Sequence, residues 1–253
     1  MEFVGDIARK TGESNLLLVE AAKASRACEI GKDTGLFSVP KVVNLDAEAG
    51  VLEFERLSGL ATLLDLAVRK DRRLPELLEK AGRALAVVHA ELTLPEEMKH
   101  ELPAEWMNSC DENVFIHGDF ACINVCFHEP SGELVILDFS AAPMVGRTPT
   151  FGSRYFDILL FVSSLFHGAP YRSVLKWDAK EMADTFLKGY AKAAPEVKLN
   201  KLKDYSSEIC RLQRQNIWHL SQQRPPLRAA GYLLCQMLMY ARFSRFLRKH
   251  EPS

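Results

Sequence analysis

Between residues 116 and 140 the chain reads IHGDFACINVCFHEPSGELVILDFS, and this stretch constrains the possible folds more than any other. Two short apolar runs, 124–128 and 134–137, flank the turn sequence EPSG and predict a pair of short strands. Polar, chemistry-bearing residues sit at both ends of the pair. Asp119 lies five residues before Asn124, and Asp138 follows the second apolar run.

That order suits phosphoryl transfer. One carboxylate, Asp119, can orient and deprotonate an attacking hydroxyl. An amide oxygen on Asn124 and a second carboxylate on Asp138 can hold Mg²⁺ against the phosphates of a nucleotide. Alone, Asp119 could equally be a turn Asp that bonds its own backbone. With Asn124 and Asp138 in order behind it, the functional reading is favoured.

The 253 residues allow one large domain or two unequal lobes around a cleft. A hydrophobic share of 47 % and a charged share of 26 % exclude a disordered or fibrous chain. The net charge of −1 gives no electrostatic reason to bind nucleic acid. Cys28, Cys110, Cys122, Cys126, Cys210 and Cys235 form no CxxC pair and read as buried thiols in a reducing compartment. The start of the chain has no basic region followed by an apolar core, and no run approaches the ~18 apolar residues of a membrane span. The expectation is a soluble cytoplasmic protein without a membrane partner.

Residues 3–9 predict one short strand and Gly12, Glu13 and Ser14 a turn, followed by a helix with Asn15 as its N-cap. Strands are expected at 40–45 and 51–56 around the turn DAEAG, and the LSG at 57–59 is a natural linker. From Thr62 the period becomes helical. Leu63, Leu64, Leu66 and Ala67 form one apolar face, and Leu77, Leu78, Ala81, Leu85, Val88 and His89 another. Asp157 opens an apolar helix, and further helices are expected at 178–193, 203–222 and 227–248. In the last of these, Leu233, Leu234, Met237, Leu238 and Tyr240 read as the buried stripe. Strands first and helices after argue an α+β protein.

Four ordered patches resemble the aminoglycoside phosphotransferase family of the protein-kinase-like superfamily: VPKVVNLDAEAGVLEFERLSG at 39–59, AGRALAVVHAEL at 81–92, IHGDFACIN at 116–124 and ILDFS at 136–140. The resemblance implies a two-lobed kinase-like fold, with a small β-containing N-lobe at 1–56 and a larger, mainly helical C-lobe at 57–253. It implies an ATP-dependent kinase of small-molecule hydroxyl groups, with GTP as the alternative nucleotide and Mg²⁺ as the metal. Asp119 would be the catalytic base, Asn124 and Asp138 the metal ligands, and His117 and Asp157 supports of the loop. Lys10 and Glu20 fit the strand Lys and helix Glu that hold the nucleotide phosphates, and Glu55 and Leu57 fall where the chain would pass the adenine. Arg9 competes with Lys10, whereas Lys23, inside the helix, is a poor substitute.

One departure stands out. The family places two strands and a phosphate-covering loop before that Lys. Only nine residues precede Lys10 here, too few for a hairpin plus the Lys-bearing strand, and no GxGxxG-like run occurs. A shortened N-lobe is expected, with a kinase-fold binding or regulatory protein of little activity as the second hypothesis.

Other residues favour ordinary roles. Cys122, Cys126 and His128 lack zinc-like spacing and read as buried thiols and a strand residue. Trp106, Trp177 and Trp218 are too separated for an aromatic cage, and the basic run at 242–250 reads as a solvated helix end. Asp178, Glu181, Asp184, Asp204 and Glu208 alternate with lysines, as on a solvated mixed-charge surface.

Overall fold

The computed structural model describes residues 1–107, 113–141 and 149–249, so Cys110 and His250 lie outside the described residues. The chain opens on a hairpin, not on the single strand expected over 3–9. Strand β1 (Glu2–Val4) pairs antiparallel with β2 (Ile7–Thr11), with Val4 opposite Ile7. The two-residue turn, with Gly5 at φ 59°, makes this hairpin possible in so few residues. Lys10 lies in the second strand of this hairpin, so among the described residues one strand precedes the Lys-bearing strand, where the resemblance implies two. β2 pairs with β4 (Val51–Glu55), which pairs with β3 (Val42–Asp46), giving the order β1-β2-β4-β3.

Helix α1 (Ser14–Thr34) packs across this sheet, burying Leu17 and Ala21 against Leu52. Its N-cap is Glu13, so the expected cap Asn15 lies inside the first turn. Ser14 instead donates its hydroxyl to the Ala47 carbonyl, which ties the helix start to the β3–β4 turn. The helix ends at Gly35, whose φ of 64° is the left-handed conformation of a glycine stop.

A second sheet, in the order β5-β7-β8, contains β5 (Leu60–Thr62), β7 (Val125–His128) and β8 (Glu133–Ile136). The predicted strand pair is present, with Val125 opposite Ile136. Ser38 donates its N–H to Leu134 and accepts from Ile136, stitching the chain after α1 onto β8. Strands β6 (Asn113–Phe115) and β9 (Phe151–Ser153) form a short ladder of their own.

The helical region comprises α2 (Leu63–Arg69), α3 (Leu74–Glu91), α4 (Tyr155–His167), α5 (Ala179–Ala193), α6 (Ser206–Gln222) and α7 (Pro226–Lys249). Thr62 and Asp65 form a reciprocal capping box at the start of α2. Helix α4 has no polar stripe: it is buried from Tyr155 through Ser163, as a helix apolar all round must be. Both apolar faces expected of α2 and α3 are turned inward.

The expected stripe on α7 is not its buried face. Leu234 and Met237 are 72 % and 66 % exposed, whereas Cys235, Met239, Phe243, Phe246 and Leu247 are buried. Leucines and methionines occur on more than one side of this helix. The rings of Phe243 and Phe246 settle the rotation by packing on Phe166 of α4. Among the described residues the cysteines are all free thiols, and no helix is long and apolar enough to cross a membrane.

Helices α3 and α5 approach so closely that glycine is required on both. A Cβ on Gly82 would lie 2.1 Å from the Phe186 carbonyl oxygen, and one on Gly189 would lie 2.1 Å from that of Glu79. This contact brings His89 of α3 to Tyr190 of α5, with a His89 Nδ1 to Tyr190 hydroxyl distance of 2.8 Å. Gly82→Ala should cost about 1–3 kcal/mol through forced separation of the helices. Urea unfolding measures this, and an unchanged midpoint would refute the close approach.

Candidate active site

The site forms around the loop between β6 and β7. Asp157, in the first turn of α4, is completely buried and accepts hydrogen bonds from the backbone N–H of His117 at 2.7 Å and of Gly118 at 2.9 Å. His89 Nε2 lies 3.1 Å from the same carboxylate. Burial alone would raise the Asp157 pKa, but these partners outweigh it and hold the carboxyl below its ordinary value. His89 is itself kept neutral by burial; donating from Nε2, it accepts the Tyr190 hydroxyl at Nδ1.

Gly118 has φ 91°, a conformation that side chains rarely adopt. A Cβ there would also lie 3.3 Å from both the Lys23 ammonium and the Ser140 carbonyl. The Asp119 N–H donates back to His117 Nδ1 at 3.2 Å, so the His117 ring carries its proton on Nε2. Burial lowers the His117 pKa to about 4, leaving the ring uncharged near neutrality. It packs on Phe120 and Phe139, which flank the two Asp motifs.

Asp119 and Asn124 are brought together directly. The Asn124 amide nitrogen donates to the Asp119 carbonyl and to its Oδ2, both at 2.9 Å. Burial, with the charge of Asp138 second, raises the Asp119 pKa to about 7. Its carboxylate is therefore a stronger proton acceptor than an exposed Asp. Asp138 follows β8 in a left-handed conformation, φ 56°, that non-glycine residues seldom take and Asp tolerates better than most. Its Oδ1 accepts from Ser140 Oγ at 2.6 Å and from Lys10 Nζ at 3.0 Å.

Lys10 spans the two regions of the protein, bonding Glu20 at 2.8 Å as well as Asp138. Successive strand residues point to opposite faces, which resolves the choice between Arg9 and Lys10. Arg9 pairs with Glu53 on one face of the sheet, and Lys10 turns to α1 on the other. Burial works against the charge on Lys10, but Glu20 and Asp138 outweigh it and raise its pKa. Glu20 is only 3 % exposed, so it is no solvated helix residue.

Glu55 and Leu57 stand apart from this cluster. Glu55 ends β4 and accepts the Lys41 N–H at 2.9 Å, and half-buried Leu57 lies between β4 and β5. Two contributors escaped the sequence reading. Ser140 carries no signal beyond its position two after Asp138. Lys23 was set aside as a helix residue, although its i+3 spacing from Glu20 places both on one face.

Cys122 and Cys126 are buried thiols whose pKa values burial pushes up to about 11 and about 12, and no three His, Cys, Asp or Glu among the described residues form a metal cluster. Mg²⁺ does not require one. It favours hard oxygen donors and takes one or two from the protein, the rest from phosphate and water. The Asn124 bonds run through its amide nitrogen, which leaves the amide oxygen unengaged by them. The Asp138 bonds engage Oδ1, which leaves Oδ2 in the same condition. These donors fit Mg²⁺.

No family model and no curated protein matches the sequence. Solved structures do match the fold. A choline/ethanolamine kinase family protein from Mesorhizobium loti superposes with a TM-score of 0.57 at 16 % identity, over 98 % of this chain and 88 % of that one. A glucosamine kinase in complex with glucosamine, ADP and inorganic phosphate gives a TM-score of 0.57 at 14 % identity, over 88 % and 74 % of the two chains. An amicoumacin kinase in complex with AMP-PNP and Ca²⁺ gives 0.51 at 18 % identity, over 95 % and 80 %. The chain has the protein-kinase-like fold, with a small sheet-rich N-terminal region and a helical C-terminal region.

Because the folded-state pKa of Asp157 lies below its ordinary value of 3.8, its stabilising contribution is present above that value and fades as pH falls through the folded one. Asp157→Asn should cost about 2–4 kcal/mol at pH 7. The gap from the parent should narrow below about pH 4. Denaturant unfolding at pH 7 and pH 3 checks this, and an equal deficit at both would be the contrary result.

Proposed function

We propose that this protein is an ATP-dependent phosphotransferase acting on a hydroxyl group of a small molecule. The observation that carries the proposal is the convergence of Lys10, Glu20, Asp119, Asn124 and Asp138. They come from β2, α1, the loop between β6 and β7 and the segment after β8. Hydrogen bonds at 2.8 to 3.0 Å join Lys10 to Glu20 and Asp138, and Asn124 to Asp119, while the Leu137 N–H, next to Asp138, donates to the Asn124 carbonyl at 2.8 Å. The structural neighbours support the reading: they include a choline/ethanolamine kinase family protein, a glucosamine kinase seen with ADP and an amicoumacin kinase seen with AMP-PNP and Ca²⁺.

In this reading residues 1–56 and 57–253 are two lobes that clasp the nucleotide. The backbone near Glu55 and Leu57 meets the adenine, and Lys10, steadied by Glu20, meets the phosphates. Asn124 and Asp138 would hold Mg²⁺, which when bound would supply charge neutralisation of the nucleotide phosphates. Asp119 orients the substrate hydroxyl and accepts its proton as the oxygen–phosphorus bond forms and the bond to the leaving nucleoside diphosphate breaks. Its raised pKa suits this late proton transfer. Asn124 holds the Asp119 carboxylate by a hydrogen bond from its amide nitrogen at 2.9 Å, so the base is aimed before substrate arrives. Lys10 must exchange part of its bond to Asp138 for phosphate oxygens as the nucleotide enters. GTP in place of ATP is compatible with backbone reading of the base.

Millimolar ATP should raise the unfolding temperature only with Mg²⁺, by a stabilisation of about 2.7 kcal/mol at a hundredfold excess over Kd. Asp138→Ala should abolish that response and all turnover; retained Mg²⁺-dependent turnover would sink the metal assignment. In a screen of hydroxyl-bearing metabolites for ATP consumption, Asp119→Asn should lower kcat by about 10²–10⁴ while keeping the Mg²⁺-dependent thermal shift. Loss of the shift with unchanged kcat would reverse the roles given to Asp119 and Asp138.

A further inference from the structure

Lys23 is the one fully buried lysine among the described residues, and the reaction scheme above leaves it without a task. It lies one turn after Glu20 on α1, at 0 % exposure, and apart from Glu20 and Gly31 the other buried residues of the helix, such as Leu17, Ala21, Ala24 and Ala27, are apolar. Burying an ammonium costs several kcal/mol unless the protein returns hydrogen bonds and counter-charge, and a Met or Leu would fill the same volume without that cost. The environment supplies both. Lys23 Nζ donates to the carbonyl oxygen of His117. Burial lowers its pKa to about 8, and the nearby carboxylates of Asp157, Glu20, Asp138 and Asp119 act against that fall, so the ammonium persists at neutral pH.

The geometry gives this charge a purpose. The His117 peptide is held from two sides. Its own N–H and the following one, of Gly118, reach down to Asp157 on α4, and its C=O receives Lys23 from α1. Gly118, at φ 91°, leaves the room the ammonium occupies, since any Cβ there would press on Nζ at 3.3 Å. Asp119 follows directly. Glu20, on the same face of α1, holds Lys10, so one helix carries side chains to both halves of the site.

We propose that Lys23 is a positioning residue that clamps α1 to the His117–Gly118 peptide, so that the aim of Asp119 and the placement of the Lys10–Glu20 pair move as one unit. The kinetic half of this proposal rests on the phosphotransferase reading; the clamp itself does not. Lys23 touches neither nucleotide nor substrate in that reading and acts through the loop. The arrangement implies that displacing α1 disarms the loop even when every catalytic side chain is intact.

Hydrogen exchange on the full chain tests the clamp without any activity. In Lys23→Met, with folding confirmed by circular dichroism and thermal unfolding, exchange across 116–124 should rise by about tenfold relative to helices distant from the site. Unchanged exchange in a folded variant overturns the proposal, whatever the protein's reaction. Should that variant not fold, the parent decides: under mild denaturant, residues 19–27 and 116–124 should open with one common free energy, and separate openings overturn the clamp. Once a substrate is found, Lys23→Met should lower kcat by about a hundredfold with KM for ATP within about twofold, the mark of misaim rather than lost binding. A rise in KM at constant kcat would also overturn it. Failure of Asp138→Ala to affect turnover would instead strike the functional reading and leave the exchange result standing.

Discussion

The structure depends on a single carboxylate with no access to water. Asp157 cannot be buried charged unless every oxygen lone pair facing the interior finds a donor. The donors it finds are two consecutive peptides of the site loop and the imidazole of His89. Satisfying that one group fixes three elements at once. α4 carries the acceptor, α3 supplies the imidazole, and the loop between β6 and β7 must adopt the turn that presents two N–H groups in a row. The glycine contact between α3 and α5 belongs to the same construction, because it brings the Tyr190 hydroxyl to the other nitrogen of His89.

Above that anchor the site is a balance of charges at short range. Four carboxylates, of Glu20, Asp119, Asp138 and Asp157, share the space with the ammonium groups of Lys10 and Lys23. Burial differs among the acids, and so do their roles. Asp157 meets three donors and stays ionised, and Asp138 meets Lys10 and Ser140 and is held low. Asp119, with one amide donor and a neighbouring negative charge, is pushed up to about 7. In the proposed function, environment alone tunes one chemical type into an anchor, a cation ligand and a proton acceptor. The excess of negative charge favours entry of a cation, as the proposed function requires.

Much of this was legible in the sequence. The strand pair at 125–136, the helical faces of α2 and α3, and the succession of strands and then helices follow from periodicity and turn chemistry, which act over a few residues. Asp119, Asn124 and Asp138 could be named from their order around the strand pair, and Lys10 with Glu20 only through the resemblance to known kinases. Three things were not legible. The hairpin that carries Lys10 hangs on a two-residue turn that a short window reads as a continuous strand. The rotation of α7 is chosen by aromatic contacts with Phe166, a residue far away in the chain. The burial of Lys23 depends on a carbonyl 94 residues away.

The sequence by itself therefore determined which residues could do chemistry and which local elements carry them, because propensity, capping and side-chain type are properties of neighbours in the chain. Only the tertiary structure decided what each of those residues is. Lys10 and Asp138 are 128 positions apart, and their bond exists because the sheet and α1 are laid over the β7–β8 hairpin. The proton affinity of Asp119, the neutrality of His117 and the use of Lys23 as a clamp all arise from exclusion of water. Exclusion of water is a property of the packed whole, and no stretch of sequence carries it alone.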